Sequence, residues 1–414
     1  MFMAASYAGH KLCRRGDLVV NTMWAWMGAL GVSQYAGIVS PSYAVYRPYS
    51  KDLLLPSYAD QLFRTPRYIS EYVRRSTGVQ DSRLRLYPER LLDLPVVRPP
   101  ADDQQSVVAY MAALNRFVSR YIRGKQKLIA LLNDQKQAII HHAVTRGLDP
   151  NVRLKPSGVE WLGDVPEHWE RWRVGHLARV GNGSTPSRSN PSYWRAGTYP
   201  WLNSSCVNQN PVAQANQFVT PVALRECHLP IVKPGSVLVA ITGQGKTRGT
   251  AALTNFEATI NQHIAYLTPD HRRVSGEYLQ LVLTGAYREL RRRSEDSGST
   301  KGALTCWDLS HFRIALPDTA EQQRSLASVR EATKGIETAL QSTNSETALL
   351  REYRTRLIAD VVTGKLDVRE TAARLPLDEG GDAEAFVADE GLDDGAEEAG
   401  AEEEPEVRLA EGSA

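Results

Sequence analysis

The chain has 414 residues, 42% hydrophobic and 23% charged, which is room for two or more ordinary globular domains. Its net charge of +2 conceals an asymmetry: residues 376–414 hold 15 acidic residues against one basic, Arg408, a balance of −14 that leaves +16 for the remainder. A basic body points to a polyanionic partner and the acidic end to a disordered tail, while the lack of any apolar run of membrane-spanning length, of a secretory leader pattern and of C-x-x-C spacing among Cys13, Cys206, Cys227 and Cys306 points to a cytoplasmic protein without a zinc motif or disulfide framework.

Residues 1–98 read as one mixed unit. Leu18-Val19-Val20 after the turn Arg15-Gly16-Asp17 predicts a strand, Gly37 to Tyr46 predicts further extended chain, and residues 58–73 predict one amphipathic helix. Residues 99–150 follow as a long helix. Apolar residues at Val107, Met111, Leu114, Val118, Tyr121, Leu128, Leu132 and Ile139 step by four and three, with Lys125 and Gln135 as polar interruptions. No proline falls between Ala101 and Thr145, and Gly124 is the one glycine there. Residues 151–316 predict a second mixed unit, opening at Ser157 after a short linker through Pro156. Residues 317–368 predict a second long helix with Val329, Ile336, Leu350, Tyr353 and Leu357 in register and Ala332 and Ala339 narrowing the seam. Asp102 or Asp103 and Thr319 are the expected N-caps. Each helix of about 44 residues would run roughly 65 Å. Residues 369–414 form the acidic tail.

The two halves repeat each other. Gln104 and Gln322 differ by 218 positions, and so do Leu148 and Leu366, so the helical copies align without a gap. Lys233-Pro-Gly235-Ser-Val237-Leu-Val239 matches Arg14-Arg-Gly16-Asp-Leu18-Val-Val20, and the segment at Tyr278 matches that at Tyr58, whereas residues 161–229 have no counterpart in the first half. The expected fold class is therefore α+β: two similar mixed α/β units separated by two long helices that pair as an antiparallel coiled coil, with the first unit shortened at its N-terminal side. On duplex DNA such a calliper would read two patches with a fixed gap.

Ordered words carry a resemblance to a known family. These are Gly158-Val-Glu-Trp-Leu-Gly-Asp-Val-Pro-Glu-His-Trp169, Gly183-Ser-Thr-Pro186, Tyr193-Trp194, Pro200-Trp201, Gly235-Ser-Val-Leu-Val239 and Gly245-Lys246, with Asn21 to Ser33 and Gly37 to Tyr43 in the first half. The chain resembles the specificity subunit of type I restriction–modification enzymes over roughly residues 14–370. The resemblance implies two target-recognition domains, each reading half of a bipartite DNA sequence. It also implies paired spacer helices that dock methyltransferase (modification) subunits, two of them expected, and restriction subunits that hydrolyse ATP and cut DNA. No catalytic site, metal or cofactor is implied for the chain itself.

Candidate DNA-contacting residues are Arg188 in a Ser/Pro-rich loop; Asn203, Ser204 and Ser205 after a strand; Gln244, Lys246, Thr247 and Arg248 in a Gly-rich loop; Gln262; and, in the first unit, Trp24 and Trp26. The Gly-rich loop reads equally as a solvated hairpin; it is not a P-loop, because Ala240 stands where the first glycine belongs. Asn203 to Ser205 are equally good turn residues. Asn190-Pro-Ser-Tyr193 is similar to the Asn-Pro-Pro-Tyr of amino-methyltransferases, but no methyl-donor fold precedes it. Arg291-Arg-Arg293 with Lys301 reads as a basic patch or a solvated face. Gln104, Gln105, Gln322 and Gln323, at the starts of the two helices, are expected to meet partner subunits. The rival readings are a protein-interaction scaffold without a DNA role, and a shortened subunit that reads only one half-site.

Overall fold

The computed structural model describes residues 9–50, 53–78, 84–243, 245–295 and 302–375. Gln244, Lys301 and the acidic tail lie outside them. The described residues divide into two compact units, one comprising residues up to 130 together with those from 339 onward, the other residues 131–338.

In the first unit Leu18–Asn21 is the centre of a three-stranded antiparallel sheet, flanked by Leu30–Val32 and Tyr43–Tyr46. Lys11–Cys13 pairs with Gly37–Val39 beside it. The helical stretch expected over residues 58–73 is two helices, Pro56–Phe63 and Pro66–Arg75. Pro66 forces the break: its ring removes an N–H and clashes with a preceding turn, but it suits the first position of a new helix. The two helices bury Tyr58, Leu62, Tyr68 and Tyr72 against Val20 and Leu30 of the sheet.

The second unit repeats this plan. Val237–Ala240 lies between Ala251–Leu253 and Ile264–Pro269, with Ala178–Asn182 beyond the latter. Helices Gly276–Gly285 and Tyr287–Glu295 take the places of the first unit's pair. A second sheet, Gln217–Val219, Tyr199–Leu202 and Thr259–Ile260, contributes Leu202 and Ile260 to a core shared with Leu238, Ala240 and Ala252 of the first. The backbone repeats at the level of single hydrogen bonds. Thr22 N donates to Ser42 O and Leu86 N to Thr22 O; in the second unit Ile241 N donates to His263 O and Leu304 N to Ile241 O.

The long helices are Ala101–Thr145 and Thr319–Val362, and they pack together. In the first unit Met111 packs against Val361 while Lys125 reaches Glu346 at 2.6 Å, so one number rises as the other falls and the helices are antiparallel. In the second unit Lys136 meets Glu337 at 2.7 Å, and Ile140, Ala143, Leu326 and Val329 share a core. The expected α+β class with paired helices is thus borne out, but the seam is displaced. Met111 and Val118 face inward as expected; Asn115 and Ile122 join them, while Tyr121 and Leu128 are exposed. Likewise Thr333, Thr343 and Thr347 are buried where Ala332 and Tyr353 were expected to contribute. Each of these threonines donates its hydroxyl to the carbonyl four residues back, at 2.7–2.8 Å, which lets a polar side chain occupy the seam. Asp102 and Asp103 lie inside the first helical turn rather than at the cap, and Asp318, not Thr319, caps the second helix by accepting from Glu321 N.

Candidate nucleic-acid interface

At one end of the second unit's sheets several loops converge. Gly183 starts the first: a Cβ there would lie 1.8 Å from Ile260 O, so only glycine lets this loop cross the strand, and Ser184 N then donates to the same oxygen. Thr185 Oγ1 donates to Gln262 Oε1 at 2.5 Å, joining this loop to the 261–263 turn. Asn261 N donates to Leu202 O, joining the turn to the segment of Asn203, Ser204 and Ser205. Thr247 Oγ1 donates to Asn208 Oδ1 at 3.1 Å, bringing in the Gly-rich loop. His263 Nδ1 and Thr242 Oγ1 lie 2.6 Å apart on the same rim.

The fold therefore brings Arg188, Asn203, Ser204, Ser205, Lys246, Thr247 and Gln262 together from separate stretches of sequence. Lys246 is exposed; its carbonyl accepts from Tyr287 Oη at 2.8 Å, which leaves the side chain outside while the backbone is pinned. Arg188 lies over Trp194 at 3.8 Å and donates to Gln217 at 2.7 Å, an exposed cation oriented by aromatic and amide partners. Asn203 accepts from Ser205 N and Oγ, so its oxygen holds the turn. Behind the loops, Glu226 beside Tyr193 raises that phenol above its ordinary pKa, and burial with Glu257 nearby does the same for Tyr199; both remain hydroxyl donors at neutral pH.

Three expected surface contacts are corrected. Arg248 is buried, with Nη1 donating to Gly302 O at 2.7 Å and Nη2 3.5 Å from Glu295, so it holds the loop from inside. Gln104 is buried: its amide donates to Leu53 O and Pro99 O, and its oxygen accepts from Leu55 N. Gln322 makes the same set with Arg273 O, Pro317 O and Ser275 N. Both glutamines fasten a globular unit to the start of a helix, while Gln105 and Gln323 beside them stay exposed. The arginine run is also engaged internally: Arg291 donates to Gly245 O, and Arg292 and Arg293 bond Glu289. Asn190 caps the short helix Pro191–Trp194. Thr185 and Asn208 escaped sequence reading because isolated polar loop residues carry no pattern until the fold pairs them.

In the first unit Trp24 is exposed, whereas Trp26 is half-buried and donates Nε1 to Met23 O at 2.8 Å. Among the described residues no helix is long and apolar enough to cross a membrane.

Residues 166–342 match the family model of the type I restriction modification DNA specificity domain. The loop face just described lies within the matched residues, and the resemblance to specificity subunits is borne out there. The chain is 20% identical over 227 residues to the specificity subunit of the EcoR124I/EcoR124II type I restriction enzyme of Escherichia coli, covering 55% of this chain and 52% of that one. It is 26% identical over 166 residues to the MjaIX specificity subunit of Methanocaldococcus jannaschii, covering 39% and 37%. The chain thus spans about half, or less, of the curated relatives it matches. A solved structure concerned with complex assembly and conformational transition of a type I restriction–modification system shares the fold, with a TM-score of 0.58, 18% identity and coverage of 87% of this chain and 85% of that one.

Proposed function

We propose that the chain is a non-catalytic, sequence-reading DNA-binding subunit of a type I restriction–modification complex. The observation that carries this is the linkage of the loops that hold Arg188, Lys246, Thr247, Gln262 and the 203–205 turn through Thr185–Gln262, Asn261–Leu202 and Thr247–Asn208 hydrogen bonds. Exposed cations there position the protein on phosphates, and amide and hydroxyl groups read base edges in the major groove. The repeated backbone plan of the first unit supports a second reading surface and hence a bipartite target. In this reading the long helices set the gap and dock modification subunits, two of them, with restriction subunits joining the same assembly in the cytoplasm. The exposed Gln105 and Gln323 are the helix-start residues offered to those partners.

The test is duplex binding by the full chain with a modification subunit across a range of salt concentrations. Lys246→Ala should lower affinity and reduce the slope of log K against log salt by about one, the value for one phosphate contact. An unchanged slope would remove Lys246 from the interface. The absence of any duplex binding in wild-type assemblies would favour the interaction-scaffold reading instead.

A further inference from the structure

The two units hold their loops in the same backbone frame yet give them opposite chemistry. In the specificity domain the loop after the central strand is bracketed by Ile241 N bonding His263 O and Leu304 N bonding Ile241 O. In the first unit the loop after Leu18–Asn21 is bracketed by Thr22 N bonding Ser42 O and Leu86 N bonding Thr22 O. Helix Tyr287–Glu295 braces the former through Tyr287 and Arg291; helix Pro66–Arg75 packs against the latter, with Ile69 over Gly28. The Lys246 loop and the residues 22–28 loop are therefore equivalent structures.

The first unit's loop holds no charged side chain. It turns through a single 3-10 turn, Ala25–Met27, which anchors Ala25 in the core and leaves Trp24 50% and Met27 56% exposed at the tip. Residues 1–98 carry 13 Lys or Arg against 7 Asp or Glu, so this apolar tip stands on a basic unit. An apolar tip on a basic unit, with Arg85 Nη2 3.7 Å from Met23 Sδ in the same loop, suits a surface that is anionic outside and apolar within a groove. In duplex DNA that combination is found where thymine methyl groups line the major groove between phosphates.

We propose that Trp24 and Met27 are specificity-determining residues that read thymine methyl groups in one half of the target, while the Lys246 loop reads the other half by charge and hydrogen bonding. This rests on the DNA-binding reading above. The two halves then differ in the force that recognises them: apolar contact releases no counterions, so its contribution is independent of salt.

The experiment is selection from randomised duplexes by the full chain with a modification subunit, comparing wild type, Trp24→Ala with Met27→Ala, and Met27→Gln. The double variant should lose base preference in one half only, bind its selected duplex about tenfold more weakly, and keep the wild-type salt slope. Replacing thymine by uracil in that half should weaken wild type and leave the double variant unaffected. Met27→Gln, a change of one exposed side chain, should shift the same half. Unchanged base preference in both halves, indifference to uracil, or loss only of modification-subunit binding would each overturn the proposal while leaving the DNA-binding reading intact. Absence of duplex binding by wild type would overturn that reading itself.

Discussion

Two tyrosines at matching places differ in one hydrogen bond. Tyr58 Oη donates to Val362 O at 2.9 Å, whereas the equivalent Tyr278 Oη is buried without a partner among the described residues. Tyr58→Phe should therefore cost about 1 kcal/mol, and Tyr278→Phe should be neutral or stabilising, since it removes a buried unsatisfied hydroxyl; chemical denaturation of each variant checks this. Asp17 offers a pH test. Its buried carboxylate accepts a two-pronged bond from Arg47 at 3.0 and 2.8 Å and a bond from Arg14 N, and the Arg47 contact holds its pKa below the ordinary carboxylate value against the opposing effect of burial. A lowered folded-state pKa contributes stability above the unfolded value, and that stability is lost as pH falls through the folded one. Asp17→Asn should thus be less stable than wild type near neutrality, with the gap closing as acid unfolding monitored below pH 4 proceeds. The residues legible from sequence were those whose loop carried a pattern: Lys246 and Thr247 beside glycines, Arg188 among prolines and serines. Arg248 was misjudged because its interior partner, Gly302 O, is 54 residues away.

For the long helices, periodicity identified the elements and half of their contact surface. Adjacent apolar residues such as Tyr121 and Ile122, or Leu128 and Ile129, satisfy the heptad at either of two neighbouring positions. The partner helix decides, and it selected Ile122, which is 1% exposed, over Tyr121 at 47%. Ile122→Ala should destabilise by about 3 kcal/mol, in the range for a truncated core side chain, and Tyr121→Ala by well under 1 kcal/mol. Equal losses in thermal unfolding would return the seam to its sequence-based position. The buried threonines were illegible for a related reason: a hydroxyl that bonds its own helix reads as polar in sequence but packs as a small apolar group. The split of the 58–73 segment was legible in principle at Pro66, whose constraint on the preceding turn outweighed the amphipathic pattern.

At the level of the whole chain, duplication was the most readable property, because a repeat preserves sequence words even where secondary structure is ambiguous. It located the strands at Leu18 and Val237 and the helices at Tyr58 and Tyr278, all present in the structure. In the proposed reading, inserting one heptad into each long helix should lengthen the unread gap of the target by a fixed step, measured by binding-site selection; an unaltered gap would show that the helices do not set it. The matched backbone brackets around residues 22–28 and the Lys246 loop have one more outcome. Because Thr22 and Ile241 are clasped by the same main-chain bonds, grafting the segment that follows one into the other's clasp should, in the proposed reading, transplant a sequence preference without rebuilding the protein beneath it.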